Sequence, residues 1–243
     1  PTPFSNFDRH IVAAELPELE QLSDVVSIGR TEDQTGYLLI TTWDAQRRAE
    51  VLAALEGVRM LADAPGLIID VRPNSGGSEE LAREIAACFI DEPLVYAMHR
   101  FRDPDAPGGW TEPQERVLMP RAEGARYRGP VVVLMGEACM SSNEAFLMMM
   151  AANERVWLVG QPSYGASGNP TAHELDNGVV VSLPSWQSMT ADGVPFEGSG
   201  LEPDVLAMRD IDPETRSDWF IKVARRELEI LKQRVREMEE GVR

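Results

Sequence analysis

The chain is poor in the side chains from which metal, redox and many covalent sites are built. It has 2 cysteines and 3 histidines in 243 residues, and its 23 basic residues include only the lysines Lys222 and Lys232. Cys88 and Cys139 give neither a disulfide framework nor a metal-ligand spacing, and each lies in an apolar stretch, as buried thiols do. His10, His99 and His173 are scattered and match no zinc motif, so neither a metal nor another cofactor is expected. No apolar run is long enough to span a bilayer. Pro1-Thr2-Pro3-Phe4 lacks the basic start and apolar h-region of a secretory signal, as a mature or trimmed chain also would. Positive charge is in deficit as well. A net charge of −17 argues against a nucleic-acid or anionic-membrane partner, because both need a basic footprint.

What is present is the composition of a globular domain, 43% hydrophobic and 26% charged, in a chain long enough for one substantial core. Residues 1–34 interleave apolar and acidic positions and read as a lead-in of uncertain structure. From Gly36 to Trp43 the β-branched and aromatic content predicts a strand, and residues 45–62 repeat apolar side chains at helical spacing. A second strand at 66–72 runs through the turn Pro73-Asn74-Ser75-Gly76-Gly77 into a helix over 78–89, opened by Glu79 and Glu80. Residues 94–101 predict a third strand, and residues 102–128, rich in Pro, Gly and charge, read as an irregular excursion. Strands follow at 131–135, 155–160 and 179–184, with a Gly- and Ser-rich loop over 161–170. Strands alternating with helices imply a largely parallel α/β core whose sites lie at strand-to-helix turns. The tail over 217–242 carries Phe220, Val223, Leu228, Leu231 and Val235 among charges, the pattern of an amphipathic helix that docks on the core or on a second subunit.

The chemistry concentrates in Met135-Gly136-Glu137-Ala138-Cys139-Met140-Ser141-Ser142-Asn143-Glu144-Ala145-Phe146. There the apolar strand after the Gly129-Pro130 break meets adjacent serines and an apolar helical pattern. Hydroxyls at a helix start see unpaired N–H groups and the positive end of the macrodipole, which stabilise negative charge on a nearby oxygen and favour acyl transfer. The alternative is that Ser142 or Asn143 simply caps the helix.

Three segments in order resemble the S41 serine peptidases, the tail-specific or C-terminal processing proteases. Leu67 to Gly77 is similar to an apolar strand followed by Asp-x-Arg-x-Asn-x-Gly-Gly, and Ser141-Ser142-Asn143-Glu144 to the Ser-Ala-Ser-Glu nucleophile motif. Gly193-Val194-Pro195-Phe196-Glu197-Gly198-Ser199-Gly200-Leu201-Glu202-Pro203-Asp204-Val205 is similar to the terminal Gly-x-x-Pro-Asp-hydrophobic signature. The resemblance implies a crotonase/ClpP-like α/β core over residues 35–208, with 1–34 as lead-in and 209–243 as a C-terminal helix. It implies Ser141 as nucleophile and Glu144 as the matching helix acid. The Ser142 N–H, with that of Gly76 or Gly77, would hold the oxyanion, and Asp70 with Arg72 reads as a structural pair fixing the turn.

At the general base the chain departs from the family. Members with a Ser-Lys dyad carry lysine in a loop matching Ser163-Tyr164-Gly165-Ala166-Ser167-Gly168, where Ala166 takes the lysine position and cannot accept a proton. The tricorn-like branch, which lacks that lysine, uses a histidine with a supporting acid. Glu197 matches the acid, and none of the three histidines sits in that branch's context: His10 fits best by chain order, His99 follows a strand toward the cleft and is taken as the base, and His173 falls near the Gly-rich loop. No PDZ-like domain precedes or interrupts the core, as expected if the chain is a fragment. The expectation is a serine endopeptidase acting on peptide or protein through an acyl-enzyme at Ser141, with Ser142 as the fallback nucleophile and homo-oligomerisation possible through the C-terminal helix. The resemblance suggests a bacterial periplasmic or secreted location and leaves a cytoplasmic one open. The alternative is a catalytically impaired module binding peptide or an apolar ligand on the same core, like the retinoid-binding repeats that resemble the family. An acyl-CoA enzyme of the crotonase superfamily fits the fold and the oxyanion hole but neither the Ser-Ser-Asn-Glu motif nor the Pro-Asp ending.

Overall fold

A computed structural model describes residues 6–121, 126–208 and 217–241. In chain order the elements are α1 (Arg9–Glu15), β1 (Glu20–Ser23), β2 (Val26–Arg30), β3 (Gly36–Ile40), α2 (Arg48–Val51), α3 (Ala53–Met60), β4 (Leu67–Asp70) and α4 (Glu79–Ala86). There follow β5 (Leu94–Phe101), β6 (Gln114–Leu118), β7 (Val131–Met135), α5 (Ser142–Ala151), β8 (Val156–Gly160), β9 (Pro170–Glu174), β10 (Val180–Pro184), β11 (Trp186–Thr190), β12 (Val205–Leu206) and α6 (Trp219–Glu239).

The main sheet has the order β1-β2-β3-β4-β7-β8-β12, parallel from β3 to β12 and antiparallel across β1, β2 and β3. Every residue of β4 and β7 is buried, because helices cover both faces of a parallel sheet and leave no side for polar alternation. On one face Ile40, Ile69, Val133 and Met135 pack with Val58, Ile85 and Phe146 from α3, α4 and α5. On the other, Leu39, Ile68, Val132 and Leu134 meet Val12 of α1 and Phe220, Ala224 and Leu228 of α6. Helix α5 is buried from Asn143 to Met150 and apolar nearly all round, as a central helix must be. The amphipathic tail helix is present, with Phe220, Val223, Leu228, Leu231 and Val235 buried and Trp219 and Ile230 exposed.

Several elements differ from the sequence-based expectation. Residues 20–30, read as lead-in, pair as β1 and β2 at one edge of the main sheet. The helix expected over 45–62 is broken into a 3-10 turn at Ala45–Arg47, α2 and α3. The strand at 94–101 exists but belongs to a separate antiparallel sheet, β11-β5-β6, whose third member lies inside the stretch expected to be irregular. Among the described residues the strand at 179–184 pairs with β9 alone, in an exposed hairpin outside the parallel core. Of the 209–243 segment, residues 209–216 and 242–243 lie outside the described residues.

Candidate active site

Strands β4 and β7 are neighbours and end side by side, so the turns that follow them meet at one edge of the sheet. After β7 the chain turns through Gly136–Cys139, where the Cys139 N–H donates to Gly136 O at 2.9 Å. Ser141 then takes φ 56° and ψ −130°, a conformation that costs a non-glycine residue roughly 1–3 kcal/mol. The N-cap of α5 is therefore Ser141 itself and neither Ser142 nor Asn143.

The surrounding structure holds the strained residue in place. Its N–H lies 2.8 Å from Ala166 O and 3.1 Å from Glu144 Oε2. Glu144 is fully buried, and such a carboxylate requires saturation by donors. Its Oε1 accepts from Ser163 Oγ at 2.5 Å and Gly165 N at 2.7 Å, and its Oε2 also accepts from Ala166 N at 3.0 Å and Ser167 Oγ at 2.8 Å. Glu144 thus fastens the 163–168 loop beneath Ser141. The bond from the Ser141 N–H to Ala166 O puts position 166 beside the serine, where the side chain is a methyl group.

Asn143, also fully buried, ties α5 to the turn after β4. Its Oδ1 accepts from Trp43 Nε1 at 3.0 Å, and its Nδ2 donates to Val71 O at 3.2 Å and Asn74 O at 2.9 Å. Asn74 Oδ1 in turn accepts the Gly76 N–H at 2.9 Å, so that N–H is already engaged. The ladder beside Gly77 uses Trp43 N with Gly76 O and Ser78 N with Trp43 O, which leaves the Gly77 N–H outside it. Ser142 Oγ donates to Gly77 O at 2.7 Å and braces that residue against the helix. Both glycines have positive φ, 102° and 135°. A Cβ on Gly76 would stand 2.9 Å from Ser141 Cβ, and one on Gly77 2.4 Å from Trp43 O, so both close approaches require glycine.

Asp70 and Arg72 form the expected structural pair, fully buried, with Arg72 Nη2 2.6 Å from Asp70 Oδ2. Arg72 also reaches Asp218 Oδ2 at 2.8 Å, and Asp218 caps α6, so the C-terminal helix is anchored at the root of the Gly-Gly turn.

A pocket of about 180 Å³ opens between these two turns and the β11-β5-β6 sheet, and Gly77, Ser141, Ser142, Arg116, Trp186 and Ser188 are among the residues lining it. His99 is on β5 of that sheet, with Ser188 and Gln114 as its cross-strand partners, and it stacks against Trp186 without itself lining the pocket. Its ring centroid is 5.3 Å from that of Trp186 and 5.0 Å from that of Phe101. Its Nδ1 is buried and has no hydrogen-bond partner among the described residues. Burial, and then the positive charge of Arg116, hold the imidazole below its ordinary pKa, so it is neutral at pH 7. The other basic groups lie elsewhere. His10 is exposed on α1, on the opposite layer of the sheet from α5, and His173 is exposed on the β9–β10 hairpin. Lys222 and Lys232 belong to α6, on that opposite layer too. Among the described residues no histidine or lysine nitrogen is hydrogen-bonded to the Ser141 hydroxyl.

Glu197 is exposed and accepts the Ser167 N–H at 2.9 Å, so it braces the loop behind Ser141. Both cysteines are buried, and burial pushes Cys139 up to about 12 and Cys88 up to about 11, which removes them as nucleophiles. Among the described residues no cluster of His, Cys, Asp and Glu could hold a metal ion, and no helix is long and apolar enough to cross a membrane. Sequence reasoning missed Arg116, Glu79 and Trp186, which line the same pocket. Residues 114–118 carry no alternation that would have marked a strand, so no local signal in the sequence pointed to Arg116.

Comparison with known proteins agrees with this architecture. The chain is 25% identical over 176 residues to the carboxy-terminal processing protease CtpA of Bacillus subtilis, covering 72% of this chain and 35% of that one. It is 26% identical over 170 residues to the chloroplastic carboxyl-terminal-processing peptidase 1 of Arabidopsis thaliana, covering 70% and 32%. The chain therefore spans about a third of the length of these relatives. Among solved structures, a Parabacteroides merdae protein superposes with a TM-score of 0.82 at 24% identity, over 93% of this chain and 71% of that one. The photosystem II D1 C-terminal processing protease gives 0.57 at 22% identity, over 74% and 43%. The sequence pattern of peptidase family S41 matches residues 34–207, and the chain belongs to that family.

Proposed function

We propose that this chain is the core of a serine endopeptidase that cleaves peptide or protein substrates through an acyl-enzyme at Ser141. The observation that carries this reading is the placement of Ser141, held at the N-terminus of α5 in a strained conformation, beside the Gly76-Gly77 turn and lining the same pocket as Gly77. Ser141 Oγ attacks the carbonyl carbon of the scissile bond, and His99 takes the hydroxyl proton. Among the described residues the two side chains are not in hydrogen-bond contact, so this transfer requires that they be brought together when substrate fills the pocket. The N–H groups of Ser142 and Gly77 stabilise the tetrahedral oxyanion, since the Gly76 N–H is already bonded to Asn74. The intermediate then expels the amine, which receives its proton from His99, and water hydrolyses the ester. Glu197 positions the 163–168 loop through Ser167.

Ser141→Ala is expected to abolish both hydrolysis of a casein-derived peptide mixture and labelling by a serine-reactive phosphonate, with the circular dichroism spectrum unchanged. Full activity in that variant would sink the assignment. Ala166, whose methyl group replaces a basic side chain beside Ser141, favours the second reading, an impaired binding module. Peptide binding by the wild type with no acylation of Ser141 would support it.

A further inference from the structure

We infer that the pocket beside Ser141 receives a substrate side chain ending in an acceptor oxygen, an acidic or amide residue flanking the scissile bond, and that Arg116 reads it. This rests on the peptidase reading above for its substrate class. Arg116 projects from β6 into the same pocket as Ser141, and its side chain is only 13% exposed. Its guanidinium carbon stands 4.8 Å from the Trp186 ring centroid and 5.5 Å from that of Tyr96, and the two rings fix where the planar fork lies. Glu79 pairs with it and also accepts the Tyr96 hydroxyl, so both oxygens of that carboxylate are occupied. A guanidinium has five N–H donors, and among the described residues Glu79 is the partner recorded for this one.

Two other polar groups lining the pocket have spent donors: Ser142 directs its hydroxyl proton at Gly77 O, and the Asn169 amide donates to Ser185 Oγ at 3.3 Å, so Arg116 is the side chain with donors in excess. The starts of α4 and α5 both border the cavity, with the positive ends of their dipoles toward it. Arg116 and Glu79 are the charged side chains lining the pocket and offset one another, so what the pocket offers a ligand is the N–H donors of Arg116 that Glu79 leaves free. A lysine or arginine of the substrate would bring no acceptor to those donors of Arg116. A leucine would strand its remaining donors without water, a loss of the size that discriminates strongly between hydrogen-bonding and apolar groups.

Two measurements test this. The first is mass-spectrometric mapping of cleavage sites in a mixed peptide library by the wild-type chain. The second is calorimetric binding of matched hexapeptides carrying Glu, Gln, Leu or Lys at either position flanking the bond, using Ser141→Ala. At one flanking position Glu and Gln are expected to exceed Leu and Lys by about tenfold or more. The paired variant Arg116→Met with Glu79→Gln, which leaves no stranded carboxylate, should erase the preference. Glu binding well above Gln would assign the effect to charge, and parity to the acceptor oxygen alone. Leu or Lys doing as well as Gln in the Ser141→Ala background, a preference that survives the paired variant, or no binding by any of the peptides would overturn the inference. A wild type that neither cleaves nor is labelled by phosphonate would defeat the peptidase reading alone, and the binding measurement would still decide this one.

Discussion

The two sides of the Ser141 pocket are built differently. On the side formed by the turns after β4 and β7, Asn74, Asn143 and Glu144 are completely buried and fully engaged, and hydrogen bonds hold the Gly-Gly turn, the serine and the 163–168 loop as one body. On the opposite side, β5, β6 and β11 present rings and cations in stacked contact, with His99 and Arg116 half-buried and one imidazole nitrogen unpartnered among the described residues. The difference follows from what each side must do under the peptidase reading. Groups that meet the developing oxyanion gain from being fixed before substrate arrives, because they need no reorganisation at the moment of reaction. A proton acceptor gains from a pKa set by its surroundings and from room to meet the nucleophile.

Perturbing the rigid side should produce the largest loss. In Gly77→Ala the new methyl group would stand 2.4 Å from Trp43 O on a backbone with φ 135°, and the obstruction is main chain that cannot step aside. The expected cost is roughly 1–3 kcal/mol, a fall in thermal midpoint of about 2–12 °C, with peptide hydrolysis down at least about a hundredfold. Calorimetry and initial rates measure the two effects. Wild-type turnover in a folded Gly77→Ala variant would show that this turn takes no part in oxyanion binding.

A smaller loss is expected from Asn143→Ala, which leaves the glycines intact and removes only what laces them to α5. The Trp43 indole N–H and the Asn74 carbonyl would lose their buried partner, at about 1–3 kcal/mol for each stranded group. If the laced turn holds the oxyanion donors in register, kcat should fall by about ten- to a hundredfold with KM nearly unchanged, because the lost interaction is specific to the transition state. A rise in KM with kcat unchanged would mean that Asn143 shapes the pocket for binding instead.

The same contrast governs how much of the molecule was legible in the chain. Residues 131–135 and 94–101 were read with their observed bounds, since continuous apolar or β-branched runs ended by turn residues admit few other states. Ser141, Gly77 and Ser142 came from local motifs, and the packed side of the site is local in sequence on each of its two turns. The other wall was not legible. Gln114, Glu115 and Arg116 carry no apolar face, and β6 is a strand only because β5 pairs with it. Val179 to Pro184 looks like core strand yet is exposed, because burial depends on what covers a strand and the sequence pattern cannot state that. The hairpin and β6 are also where long-range contact, rather than periodicity, decides the conformation.

The smallest effect, and the one that examines the softer wall alone, is a displacement of the pH profile. Burial and the Arg116 charge both disfavour the imidazolium form of His99, so its pKa in the folded protein lies below the ordinary 6.5. Under the proposal that His99 is the base, its neutral form acts, so kcat/KM should rise with pH through an acid limb below 6.5 and be level by pH 7. Arg116→Met, paired with Glu79→Gln, removes the nearby positive charge and also a carboxylate that raises the same pKa. Because Arg116 outweighs Glu79 in setting the shift, the limb should move upward, toward 6.5, and remain below it while burial persists. The profile is read on one peptide substrate between pH 4.5 and 8 at constant ionic strength. A limb above 6.5 in the wild type, or one that does not move in the paired variant, would remove His99 from the role of base and leave the proton of Ser141 to a group outside the described residues.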